Sequence, residues 1–219
     1  MPSSNANPAA LVNWIFRQLP DDVLDEIGAH RGGAYHQKAE ASEVPHETVI
    51  TVFGGSAAAA GQDTVTIGLV QNSAEDHGGY SIMVGDATFE ASAQGPEAGG
   101  VDAAAITFMT VSDADFIIKF ESSDGSSQAN DAWASSELSY IALNINGWSP
   151  AGGPVVIELD QSGHQVRPDE HQPPDGNYAA VIATADAHGA HSSLAATTTI
   201  ALTVENQFSL VTGISVVGV

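Results

Sequence analysis

The chain has no cysteine, so neither disulfides nor thiolate metal sites are available to it. Positive charge is almost as scarce. Five Lys plus Arg stand against 27 Asp plus Glu, a formal net charge of -22 on 219 residues. Lysine occurs only at Lys38 and Lys119. Phosphate contacts need clustered cations, and five dispersed ones form no stripe, which argues against a nucleic-acid partner. Anionic lipid headgroups are repelled for the same reason. No run approaches the roughly 20 apolar residues of a membrane-spanning helix. The start, Met1-Pro2-Ser3-Ser4-Asn5-Ala6-Asn7-Pro8, lacks the basic opening and apolar segment of a secretory signal. The expectation is synthesis in the cytoplasm without an evident general export signal.

The acid excess has a physical consequence. Such a charge repels itself and opposes the compact state unless ionic strength screens it. At molar salt the screening length falls to roughly 3 Å, and the repulsion nearly vanishes. Small residues (Ala, Gly, Ser and Thr) fill much of the remainder. The composition predicts a protein adapted to concentrated salt. Hydrophobic residues make up 43% of the chain and recur in short alternating runs, which sets it apart from acidic disordered sequences.

Helical spacing is confined to the first 30 or so residues. Asn7-Pro8 is a helix start, with proline at the first position, where its missing N–H costs nothing. Leu11, Trp14, Ile15 and Leu19 follow at helical spacing. After Pro20, Asp21 and Asp22 suit a second N-terminus, Val23, Leu24 and Ile27 form an apolar face, and Gly28 is a stop. These seven apolar residues are candidates for an arm that docks on neighbouring subunits or an internal membrane. The plainer alternative is a helix packed on its own domain. A polar connector, Ala29 to Pro45, completes a segment 1–46.

From residue 47 to 219 the pattern is β. Strands are predicted at 48–53, 64–70, 80–84, 87–90, 105–111, 116–120, 138–145, 155–159, 178–184, 197–204 and within 208–217. Gly85-Asp86 reads as a hairpin turn and Ser122 to Ser127 as a flexible loop. The strands at 178–184 and 197–204 read as a pair. The absence of a βαβ rhythm excludes doubly wound folds. The expected fold is all-β: an antiparallel jelly-roll or β-sandwich with a short N-terminal helical arm. A subdivision near 150–154 is a further option. Asp175-Gly176-Asn177-Tyr178, Ala183 to Gly189 and Thr199 to Val204 resemble the closing hairpin of cadherin-like and related Ig-like modules.

Chemistry-bearing motifs are few. Gly54-Gly55-Ser56-Ala57-Ala58 and Gly147-Trp148-Ser149-Pro150-Ala151 each miss the last glycine of a serine-nucleophile elbow. No phosphate-binding glycine loop ends in lysine, and no dinucleotide fingerprint follows a strand. Among eight histidines, His188 and His191 lie three apart in an expected loop with Asp186 beside them, and His164 and His171 lie in the preceding proline-rich loop. Imidazole with carboxylate suits a metal, and His188, His191 and Asp186 are the metal candidates; histidine standing in for lysine on an acidic surface is the alternative. Asp113 with Asp115, and Asp21 with Asp22, match glycosidase pairs only by residue type. Trp133 and Trp148 suit either sugar stacking or core packing. No catalytic residue, cofactor or enzyme activity is expected from these motifs.

An amphipathic arm, a connector, a single β-rich body and no active-site signature form one layout. In layout and composition the chain resembles the single β-barrel capsid proteins of membrane-containing icosahedral viruses of halophilic archaea. The resemblance implies an upright jelly-roll, association with copies of itself and with sister capsid proteins, and a place in the virion. A tail or turret component, a carbohydrate-binding or adhesive Ig-like module, and a cupin-type metal enzyme are the alternative expectations.

Overall fold

The computed structural model describes residues 48–96, 100–145, 153–160, 176–189 and 193–219, all within one compact unit, Pro45–Val219. The arm residues Leu11, Trp14, Ile15, Leu19, Val23, Leu24 and Ile27 lie outside the described residues, as do Asp21, Asp22, Trp148, His164, His171 and His191. Ten strands are described: β1 (Ile50–Ala60), β2 (Asp63–Asp76), β3 (Tyr80–Gln94), β4 (Asp102–Val111), β5 (Phe116–Ser127), β6 (Asp131–Ile145), β7 (Val155–Asp160), β8 (Asn177–His188), β9 (Leu194–Val204) and β10 (Phe208–Gly218). Among the described residues there is no helix, and none long and apolar enough to cross a membrane.

The strands form two sheets packed as a sandwich. A four-stranded sheet runs β4-β1-β10-β9, and a six-stranded sheet runs β7-β5-β6-β3-β2-β8. The smaller sheet is antiparallel throughout. The larger one is mixed, because β2 pairs with β8 and β5 with β7 in parallel. This corrects the purely antiparallel expectation. A parallel neighbour requires a crossover, and each of these strands arrives from a distant part of the chain.

Alternation places one face of each sheet in the core. Phe53 and Ala57 of β1, Val211 and Val217 of β10, Val70 of β2, Phe89 of β3 and Leu138 of β6 are buried between the sheets. Alanine is frequent there, with Ala57, Ala59, Ala74, Ala87, Ala91, Ala93, Ala132 and Ala142 all buried. Alanine buries little area, so the few large side chains carry most of the hydrophobic stabilisation. Phe89 fits by lying against backbone: a Cβ on Gly68 would stand 2.6 Å from its ring, and one on Gly55 2.5 Å. Phe53 meets Tyr140 edge to face, with ring centroids 4.9 Å apart.

Three further expectations are corrected. Gly85-Asp86 is not a turn: β3 runs straight through it, paired to β2 and β6. Gly85 is small because the Tyr140 ring occupies the place of its side chain. Ser122 to Ser127 is strand, paired to Ala132 to Glu137 of β6, and the chain turns later, where Gln128 N–H donates to the Asp131 carbonyl at 2.7 Å. Local propensity there yields to the ladder supplied by the partner strand. Finally, β8 and β9 are not a pair. β8 joins β2 in the larger sheet and β9 joins β10 in the smaller, so the segment resembling a closing hairpin crosses between sheets.

Candidate functional site: an uncharged sheet face

Each sheet has an outward face, and the two differ sharply. On the six-stranded sheet carboxylates recur: Asp63 and Glu75 of β2, Asp86 and Glu90 of β3, and Asp131 and Glu137 of β6 alternate with buried neighbours. Asp86 accepts a 3.0 Å hydrogen bond from the Ser139 hydroxyl on the neighbouring strand. Apolar side chains share this face, and Val65, Ile82 and Ile141 on it are buried, so what sets it apart is its carboxylates.

The outward face of the four-stranded sheet is different. Register fixes its members. Phe53, Met109 and Ser215 lie side by side on the inward face, so the even-numbered residues of β4, β1, β10 and β9 point outward. β4 contributes Ile106 and Phe108, and β1 contributes Ile50 and Val52. β10 adds Leu210, Ile214 and Val216, and β9 adds Leu194, Ile200 and Leu202. Hydroxyls of Ser56, Thr110, Thr198 and Thr212 fill gaps between them. Asp102, at the first position of β4, is the only charged residue among these outward positions. Ile106 is 60% exposed, Ile200 53% and Leu202 47%. Four strands about 4.8 Å apart and roughly 36 Å long make a surface on the order of 700 Å². Soluble monomers rarely leave so large an apolar area uncovered, and interface centres are depleted of charge in the same way.

β9 is the most open element of this sheet. Ten of its positions, Leu194 to Thr203, are exposed on both faces, and among the described residues it pairs with β10 along one edge only. No charge occurs anywhere in Leu194–Val204. At the opposite edge, β4 lies over β3, β5 and β6, and the larger sheet continues past it to β7.

The sequence-derived candidates fall elsewhere. Asp186 and His188 lie in β8 rather than in a loop. Nε2 of His188 sits 3.2 Å from the Asp186 carboxylate, with both side chains well exposed. Among the described residues no third His, Cys, Asp or Glu joins them in a metal-sized group. Asp113 and Asp115 have separate structural roles. Asp113 takes a left-handed backbone in the β4–β5 turn and its carbonyl accepts from Asn144 Nδ2 at 2.6 Å. Asp115 is buried, and its carboxylate accepts from the Ile145 N–H at 2.6 Å. Gly54 to Ala58 lie within β1. Trp133 is half-buried on the outward face of β6. Lys119, the one Lys or Arg among the described residues, pairs with Glu121 at 2.6 Å.

The sequence signal for the uncharged face lay in a strand that does not alternate. Thr48 to Phe53 is apolar or β-branched at successive positions, which in an outer sheet means both faces are apolar, whereas in Phe208 to Val217 the larger apolar residues Phe208, Leu210, Ile214 and Val216 alternate with Ser209, Gly213 and Ser215. No family model matches the chain, and comparison with curated proteins and with solved structures likewise finds no match.

Proposed function

We propose that this chain is a structural subunit, most simply a capsid protein of a virus whose host lives in concentrated salt. The observation that carries the reading is the outward face of the four-stranded sheet, with a single charge at Asp102, on a chain of net charge -22. Carboxylates are spread over the other sheet, whereas this one carries a single carboxylate at its margin, Asp102. A surface of this size matches the roughly 800 Å² per partner of a standard protein–protein interface. Copies of the chain and sister capsid proteins are the occupants the reading assigns to it. The acidic face then points to solvent, where hydrated carboxylates maintain solubility and salt screens their mutual repulsion. The jelly-roll is the finer form of the fold under this reading, and the antiparallel closure of the first strand on the last, β1 on β10, supports it. The arm at 8–28 adds contacts to neighbours or to an internal membrane. The chemistry is mutual burial, with no reacting centre and no cofactor.

Electron microscopy of the native source, with antibody labelling of this chain, tests the proposal. The expected result is label on a regular lattice of repeated subunits. Label on dispersed single molecules overturns it.

A second reading draws on Tyr178, which is 49% exposed on the outward face of β8. An exposed ring on a flat sheet is how carbohydrate-binding modules hold sugars. Retention on immobilised polysaccharide, lost in Tyr178→Ala, would favour it over the structural role.

A further inference from the structure

We propose that two copies of the chain join edge to edge along β9, running antiparallel about Thr199, so that two four-stranded sheets become one eight-stranded sheet. The inference rests on the reading of the chain as an assembling subunit and names the surface and partner that the reading leaves open.

Three observations carry it. The first is access. Among the described residues β9 is paired on one side only, and the strand beneath it, β8, is itself the edge of the larger sheet, so neither described sheet overhangs the free edge of the other. The opposite edge, β4, is overhung by β5 and β7. An exposed, uncharged strand of 11 residues without proline presents an open row of backbone donors and acceptors, and natural proteins rarely leave such an edge unprotected unless it is used.

The second is charge. A second copy of a chain with net charge -22 is the partner hardest to approach, and it can dock only where neither surface presents carboxylates. β9 meets that condition along its whole length. With Thr199 opposite Thr199, Leu194 faces Val204, and the nearest acid, Glu205, falls opposite Ser193 of the other copy. A basic partner would instead be drawn to the acidic sheet.

The third is the match of faces. Antiparallel pairing about Thr199 sets Ala196 opposite Leu202 and Thr198 opposite Ile200 on the outward side, and Ala195 opposite Thr203 and Thr197 opposite Ala201 on the inward side. Apolar or β-branched residues therefore meet at every cross-strand pair, the arrangement that stabilises sheets. The outward apolar face of one copy continues into that of the next.

Because the chain has no cysteine, one introduced thiol reports the geometry directly. Residues directly opposite in an antiparallel pair have Cα atoms about 4.5–5.5 Å apart, within the range a disulfide spans. The full chain carrying Thr199→Cys, oxidised with copper-phenanthroline in multimolar KCl, is expected to form covalent dimers at least tenfold faster than a chain carrying Ile182→Cys, an exposed control on β8. Ala195→Cys and Thr203→Cys are expected to cross-link when mixed and not when oxidised alone. Light scattering of the unmodified chain at the same salt separates the two levels of the proposal. If the chain associates but Thr199→Cys cross-links no faster than the control, the β9 pairing is wrong and the assembling role stands. The pairing is equally wrong if the thiol is slow because another segment, such as residues 1–47, lies on β9 and shields it. If the chain is monomeric at every salt concentration, both readings fall.

Discussion

The Tyr140 hydroxyl donates a 2.6 Å hydrogen bond to Oδ1 of Asn72 on the inward face of the six-stranded sheet, with both side chains buried. Burial raises the Tyr140 phenol well above its ordinary value, against the smaller opposing effects of its hydrogen bonding with Thr51 and Asn72. Nδ2 of Asn72 has no partner among the described residues. The network is thus partly satisfied and sensitive to change.

Removing that hydroxyl leaves Oδ1 of Asn72 buried without a donor. Tyr140→Phe is expected to cost about 1–3 kcal/mol at neutral pH, read from denaturant unfolding monitored by circular dichroism. The pH dependence follows from the sign of the shift. The folded phenol titrates above the unfolded one, so its contribution is complete below about pH 10 and is lost as pH rises beyond that, by about 1.4 kcal/mol per unit. The unfolding curves of the native chain and Tyr140→Phe should therefore converge between pH 10 and pH 11.5 (both roughly placed by the ordinary tyrosine value). Parallel curves would show that Tyr140 is not held neutral by the fold.

Phe89 lies where Gly68 has no side chain. A Cβ there would stand 2.6 Å from Cε1 of Phe89 and 3.1 Å from Cγ2 of Val181, closer than packed atoms approach. Gly68→Ala is expected to lower stability by about 1–3 kcal/mol through overpacking. The double variant Gly68→Ala, Phe89→Leu should recover part of the loss, because the shorter side chain vacates the contact. Thermal unfolding of the three proteins checks this, and an unchanged midpoint in Gly68→Ala would contradict the packing described.

Charge placed on the bare sheet face separates folding from association. Ile106 is 60% exposed, so Ile106→Asp should change monomer stability by no more than about 0.5 kcal/mol. Its carboxylate would be desolvated in any interface built on that face, at a cost of several kcal/mol. Sedimentation in concentrated KCl is expected to show dissociation of this variant. Ile182→Asp, 63% exposed on the acidic side, should sediment as the native chain does. Equal behaviour of the two would remove the uncharged face from the account.

Alternation made strands legible in the sequence, but not which face is buried. Thr64 to Val70 alternates and lies in β2, yet Thr64 and Thr66 are buried while Ile67 and Leu69 face outward, and in β4 the large residues Ile106 and Phe108 are the exposed ones. What was not legible depends on partners distant in the chain. Gly85 reads as a turn because its neighbour Asp86 is polar, yet its lack of a side chain accommodates a ring 55 positions later, Tyr140. Ser122 to Ser127 has no strand propensity of its own and extends because β6 runs beside it. β8 and β9 each alternate well enough to pair with each other, and only the competing ladders of β2 and β10 assign them to separate sheets. The candidate site was half visible. Large apolar residues recur in β1 and β10, whereas their placement on one outward face with a lone charge, Asp102, emerges only once register aligns four strands. The histidine and carboxylate spacings drew attention because those residue types carry chemistry, and the described ones serve as a surface pair, a turn and an anchor for backbone.

Salt is the most direct probe of whether this chain works by packing against others. Light scattering and circular dichroism recorded together, during dialysis from multimolar KCl toward dilute buffer, give both particle size and fold. Interfaces between acidic subunits weaken as the screening length grows from roughly 3 Å toward 30 Å. The expected record is a fall in scattering to that of single subunits while the β-sheet signal is still intact, with unfolding only at lower salt. Scattering that stays at the single-subunit level from the start, or particles that remain whole while the sheet signal collapses, would contradict the account.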